Sequence, residues 1–83
     1  MKTIILTLPA AKDLDTLPRD VRDDIEAALA NYAMSGHGDI KPLSARGGFR
    51  MRVGRYRVVF DEDKTTILAI YIGKRETSTY RRH

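Results

Sequence analysis

Cysteine does not occur in this chain of 83 residues, so disulfides and thiolate metal sites are excluded, in keeping with a reducing cytoplasm. Long apolar runs are missing too. The first nine residues hold one charge and too short an apolar stretch for a signal peptide, and nothing later is long enough to span a bilayer, so a soluble cytoplasmic protein is expected. Repeats, low-complexity tracts and linkers are absent. Residues 1–83 therefore read as one small domain, whose modest core leaves it marginally stable and open to stabilisation by a partner. Histidine is scarce. His37 sits in the glycine-rich stretch Ser35-Gly36-His37-Gly38-Asp39 with no metal-ligand or triad spacing and reads as part of a flexible loop, and His83 reads as a loose terminal residue.

What the chain has in quantity is arginine, unevenly placed. Residues 1–45 carry five Lys/Arg against seven acids, whereas residues 46–83 carry ten against Asp61, Glu62, Asp63 and Glu76. The net charge of +4 thus hides an acidic first part and a strongly basic second part, and the function is expected in the latter. At its centre lies Phe49-Arg50-Met51-Arg52-Val53-Gly54-Arg55-Tyr56-Arg57-Val58-Val59-Phe60, an alternating pattern broken near Gly54, as in a hairpin. Alternation sends Phe49, Met51, Val53, Tyr56, Val58 and Phe60 to a core and Arg50, Arg52, Arg55 and Arg57 to the other face. Four guanidinium groups on one side of a ribbon repel one another unless an anion lies between them. Arginines that only kept the face soluble would be mixed with acids, and a planar fork of donors suits phosphate oxygens, so a phosphate backbone is the expected partner.

The remaining elements follow in order. Residues 3–8 are β-branched and apolar and predict a strand ended by Pro9; residues 10–15 leave room for a turn or two of helix. Pro18 suits the first turn of a second helix, whose stripe Val21, Ile25, Ala28, Leu29 and Tyr32 should lie on the sheet, with Gly36 and Gly38 at its end. Asp20, Asp23, Asp24 and Glu26 are read as the solvated face of that helix rather than a metal or acid–base cluster. A turn over residues 61–64 leads to a strand over 65–72 that is apolar on both faces, hence interior to the sheet, and Gly73 releases a basic tail. The class is α+β: a strand, two helices (the first short), three antiparallel strands completing a four-stranded sheet, and a short basic tail or helix.

This order resembles the RelE toxins of the RelE/ParE superfamily, the toxin half of type II toxin–antitoxin pairs. Three pieces carry the resemblance: Phe49-Arg50-Met51-Arg52-Val53, similar to an aromatic-basic-x-basic strand; Arg55-Tyr56-Arg57-Val58-Val59-Phe60, similar to a YRLVY strand; and Ile72-Gly73-Lys74-Arg75-Glu76 followed by Tyr80, similar to a GKRE…Y ending. The resemblance implies a ribosome-dependent endoribonuclease that cuts messenger RNA in the A site, without metal or cofactor, by attack of the 2′-hydroxyl on the adjacent phosphorus. By position it implies Arg52, Arg57, Arg75 and Tyr80 as catalytic and Arg46, Arg50, Arg55, Lys74 and Arg81 as RNA-binding residues. It also implies a RelB-like antitoxin with an acidic toxin-binding segment, and contact with operator DNA only through that complex.

One departure bears on mechanism. Where the family carries lysines in the first ribbon strand, this chain has Arg50 and Arg52, and a guanidinium is a poor proton acceptor at neutral pH. The base is therefore assigned to Tyr80, acidified by Arg75 and Arg81, the alternative being slower proton transfer with charge stabilisation dominant. ParE toxins, which share the fold and poison DNA gyrase as protein-binding modules, are the rival reading, with an inactive toxin remnant behind it.

Overall fold

The computed structural model describes residues 1–43 and 47–74. They form β1 (Thr3–Leu6), α1 (Leu8–Asp15), α2 (Arg19–Ser35), β2 (Ile40–Pro42), β3 (Phe49–Val53), β4 (Tyr56–Glu62) and β5 (Thr66–Lys74). The strands make one sheet in the order β1-β5-β4-β3-β2, in which β1 runs parallel to β5 and the other pairs are antiparallel. This is the expected α+β class with one strand more than the four anticipated. The extra strand is β2, only three residues long, and its proline is tolerated because it lies at the sheet edge. So short a segment has no alternation to read.

Helix boundaries also differ from the sequence pattern, for a local reason. Thr7 leaves the strand early and accepts a hydrogen bond from the Ala10 backbone N–H at 3.3 Å, capping α1. Pro9 then falls in the first helical turn, where its missing N–H costs nothing, instead of ending a strand. Pro18 stands just before α2, and Gly36 ends that helix in a left-handed conformation (φ 78°) that a side chain would disfavour. Asp20, Asp23, Asp24 and Glu26 are all exposed on α2, as the sequence predicts.

Both helices cover one face of the sheet. Ala10 and Leu14 of α1 and Ile25, Leu29 and Ala33 of α2 meet Met51, Val58, Phe60, Ile67, Ala69 and Ile72, with Val21, Ala28 and Tyr32 packed alongside. Phe60 is fully buried at the centre, stacked on Phe49 and edge-on to Tyr32, with ring centroids 5.6 and 5.7 Å away.

Above that core, Glu62 accepts from Lys2 Nζ at 2.6 Å and from the Tyr32 hydroxyl at 2.7 Å, tying the N-terminus and α2 to β4. Burial, then the bond to Glu62 and its negative charge, push the Tyr32 phenol from 10.0 up to about 12. Burial raises the Glu62 carboxyl, but the bonds from Lys2 and Tyr32 prevail and hold it below its ordinary value. A raised phenol contributes stability that is whole below the unfolded value and is lost as pH climbs through the folded one. Stability measured by urea melts should therefore fall between pH 10.0 and about 12, and Tyr32→Phe should flatten that fall. Parallel profiles for the two proteins would contradict this account.

The other end of the sheet is finished by side chains. Strand β1 stops at Leu6, opposite Ala69, which leaves the last part of β5 without a neighbouring strand on that side. Thr7 supplies a hydroxyl to the Ile70 carbonyl at 2.9 Å, and the Asp13 carboxylate accepts from the Ile72 N–H at 3.1 Å. Removing that acceptor orphans a half-buried donor, so Asp13→Ala should cost about 1–3 kcal/mol by chemical denaturation. Asp13→Asn, whose amide oxygen still accepts, should recover most of the loss; an alanine variant as stable as wild type would show that water replaces the carboxylate.

Candidate nucleic-acid interface

The face of the sheet turned away from the helices carries the arginines. The two-residue turn Gly54-Arg55, with Gly54 at φ 59° and no positive φ at Arg55, has the pattern of a type II′ hairpin and fixes the register of β3 on β4. Met51 faces Val58 and Phe49 faces Phe60 on the core side; Arg52 faces Arg57 and Arg50 faces Val59 on the open side. The pairing continues outward on both flanks. One row across the sheet reads Lys41, Arg50, Val59, Tyr71 and the next reads Arg52, Arg57, Gly73.

Arg52 and Arg57 are thus direct cross-strand partners of like charge, an arrangement that is unfavourable in itself. Both are half-buried, and the Nε of each is buried with no hydrogen-bond partner. Asp39 offers Arg52 partial compensation. Its carboxylate lies 3.5 Å from Arg52 Nε, an ion pair too long for a hydrogen bond, and is itself more than half exposed. Two permanent cations side by side on an open surface make a site for an oxyanion.

The expected residues divide accordingly. Arg50, Arg52 and Arg57 share the face as the alternation predicts. Arg55 lies in the exposed turn and not on a strand, so three guanidinium groups, not four, are aligned by register. Lys74 faces Tyr56, whose side of the sheet is the core side, and Gly73 remains within β5 instead of releasing the chain. Arg46, Arg75, Tyr80, Arg81 and His83 lie outside the described residues. The face is also not of one sign throughout: Asp61 shares it, four residues along β4 from Arg57 and so about 13 Å away. The cations are gathered toward the hairpin end.

Two members of the face were not anticipated. Lys41 joins through β2, the strand too short to recognise. Tyr71 joins through a bulge: Val59 pairs with Tyr71 but Phe60 pairs with Ala69, so Ile70 is the extra residue. Strict alternation from the buried Ile67 and Ala69 would put Tyr71 in the core; the bulge sends Ile72 there and turns Tyr71 outward, 41% exposed. In the sequence Tyr71 lies inside an unbroken apolar run, which gives no sign of the switch.

The family model of the ParE toxin of the type II toxin–antitoxin system, parDE, matches residues 4–78. The chain belongs to this toxin family. Solved toxin–antitoxin structures share its fold. It is 28% identical to a chain of the RelBE2 toxin–antitoxin complex from Mycobacterium tuberculosis, covering 89% of this chain and 98% of that one, with a TM-score of 0.68. The isolated Escherichia coli RelE toxin superposes with a TM-score of 0.76 at 18% identity, over 98% of this chain and 92% of that one. A chain of the RelB-RelE complex from Methanococcus jannaschii gives 0.71 at 23% identity, over 84% and 88%. No protein with a curated description matches the sequence. The ParE family assignment and the RelE structural neighbours together place the toxin in the RelE/ParE superfamily.

Proposed function

We propose that this toxin is a ribosome-dependent endoribonuclease that cuts messenger RNA in the A site. The observation that carries the reading is the Arg52–Arg57 pair, two like charges held opposite each other on an open face. In the reaction the RNA 2′-oxygen forms a bond to the adjacent phosphorus and the bond to the 5′-oxygen breaks, leaving a 2′,3′-cyclic phosphate and a 5′-hydroxyl. Charge builds on the non-bridging oxygens of the phosphorane, and fixed positive groups aimed at them lower the barrier. Arg57 and Arg52 take that role, with Arg50 and Lys41 one row further along the face to hold a neighbouring phosphate. Arg75 is assigned to the same charge-stabilising task. Tyr80 is assigned to accept the 2′-hydroxyl proton, because no guanidinium can do so at neutral pH. Arg46, Arg55 and Arg81 are assigned to the phosphates beyond; Lys74, on the core side of the sheet, is left out.

The partner proposed is a RelB-like antitoxin whose acidic segment covers the cation rows, since relatives such as the Methanococcus jannaschii and Mycobacterium tuberculosis toxins are found in complexes with antitoxins. Charge complementarity would speed that association and hold the small domain folded.

Primer extension on a reporter message in a reconstituted translation reaction tests the reading: cuts at A-site codons are expected with wild type. A second reading, a ParE-like toxin that binds DNA gyrase, draws on the matching family and on the arginines standing where RelE toxins carry lysines. Gyrase-dependent DNA breaks with no messenger cuts would select it.

A further inference from the structure

We infer that Tyr71 is a stacking platform for one nucleobase of the RNA whose phosphates lie on Arg57 and Arg50. This rests on the proposed RNA reading and adds a base contact to it. Three observations converge. The first is the bulge at Ile70, without which the tyrosine would point into the core. Two side chains on the helix side hold the segment in place, Thr7 on the Ile70 carbonyl and Asp13 on the Ile72 N–H. Bulges of this kind re-aim a side chain.

The second observation is the pose of the ring. A Cβ built on Gly73 would lie 2.9 Å from the Tyr71 hydroxyl oxygen and 3.0 and 3.1 Å from Cε1 and Cζ. Residues 71 and 73 are about 7 Å apart along a strand, close to the full reach of a tyrosine. The ring therefore lies down along β5 with its far end on the bare glycine backbone. No ring contact or hydrogen bond within the described residues engages it, and it is 41% exposed.

The third is its neighbourhood. Tyr71 sits directly opposite Val59, and Arg57 is its diagonal neighbour, at about 7–8 Å between backbones. A half-buried valine floor, a flat aromatic ring and a row of guanidinium groups are the components with which sheets bind single-stranded nucleic acid, the ring taking a base and the cations its backbone. Every base has a π-face, so this contact adds affinity with little sequence preference.

The test uses the full chain and a short 2′-O-methylated RNA, which binds without being cut, followed by fluorescence anisotropy across a range of salt. Tyr71→Ala should weaken binding on the order of tenfold, with the slope of affinity against salt unchanged, because no counterion-releasing contact is lost. Tyr71→Phe should restore most of the affinity. Gly73→Ala keeps the phenol but lifts the ring, and should weaken binding in the same sense. The same RNA with abasic positions should bind wild type more weakly and lose that deficit against Tyr71→Ala. Arg57→Ala separates the two levels, since it should reduce both affinity and salt slope. If Arg57→Ala weakens binding while Tyr71→Ala and the abasic RNA behave as wild type, the stacking role is overturned and the RNA reading stands. If no variant changes binding, both are overturned.

Discussion

Arg57→Ala should lower A-site cleavage about 100- to 1,000-fold in a reconstituted translation reaction, the usual consequence of removing one preorganised donor from a developing oxyanion. The same substitution should leave the fold at least as stable as wild type. Arg57 stands on the open face, directly across from Arg52, and contributes no atom to the core cluster. Taking away one of two opposed like charges removes a repulsion of a few tenths of a kcal/mol, about the size of other cross-strand pair effects. The two readouts therefore move apart: activity collapses while the melting temperature holds or rises slightly. Arg57→Lys keeps the charge but loses the planar fork, and belongs between wild type and alanine. Cleavage by Arg57→Ala at the wild-type rate would remove this arginine from the chemistry. A large fall in melting temperature would mean that the open face carries more of the packing than its exposure indicates.

Phe60→Ala should remove a large share of the protein's stability. The ring is fully buried on the central strand β4, stacked on Phe49 and edge-on to Tyr32. Deleting a buried phenyl group costs about 3–5 kcal/mol, from lost transfer energy and the cavity left behind. A chain of this length has only about 4–12 kcal/mol to lose. At about 4–8 °C per kcal/mol for a small domain, the melting temperature should drop by roughly 12–40 °C. Phe60→Leu, which refills much of the space, should lose less than half as much. The neighbouring Val59→Ala, on the half-open face, provides the comparison: a cost near that of Phe60→Ala would place the core on the wrong side of the sheet.

The extent to which this was legible in the sequence depends on how local each signal is. The alternation from Phe49 to Phe60 placed Arg50, Arg52 and Arg57 on one face and Met51, Val58 and Phe60 on the other, because side-chain period is set by the strand backbone itself. The stripe on α2 was legible for the same reason, since a helix brings residues three and four apart together. Arg55 departs from the alternation because a turn residue escapes the strand period, although Gly54 marks where the turn falls. Strand β2 leaves no signal in the sequence because three residues ending in proline form a strand only when β3 is there to pair with.

The sequence by itself thus determined the class of fold, the two sides of the hairpin and the concentration of positive charge in the second half of the chain. Each follows from local periodicity or composition. Tertiary structure alone decided that Arg52 and Arg57 stand opposite each other, that Lys41 extends their face, and that Tyr71 lies beside them and not in the core. Those outcomes depend on strand register and on one extra residue in β5, and both are settled by hydrogen bonds between segments far apart in the chain, including those from Thr7 and Asp13 to the edge of β5.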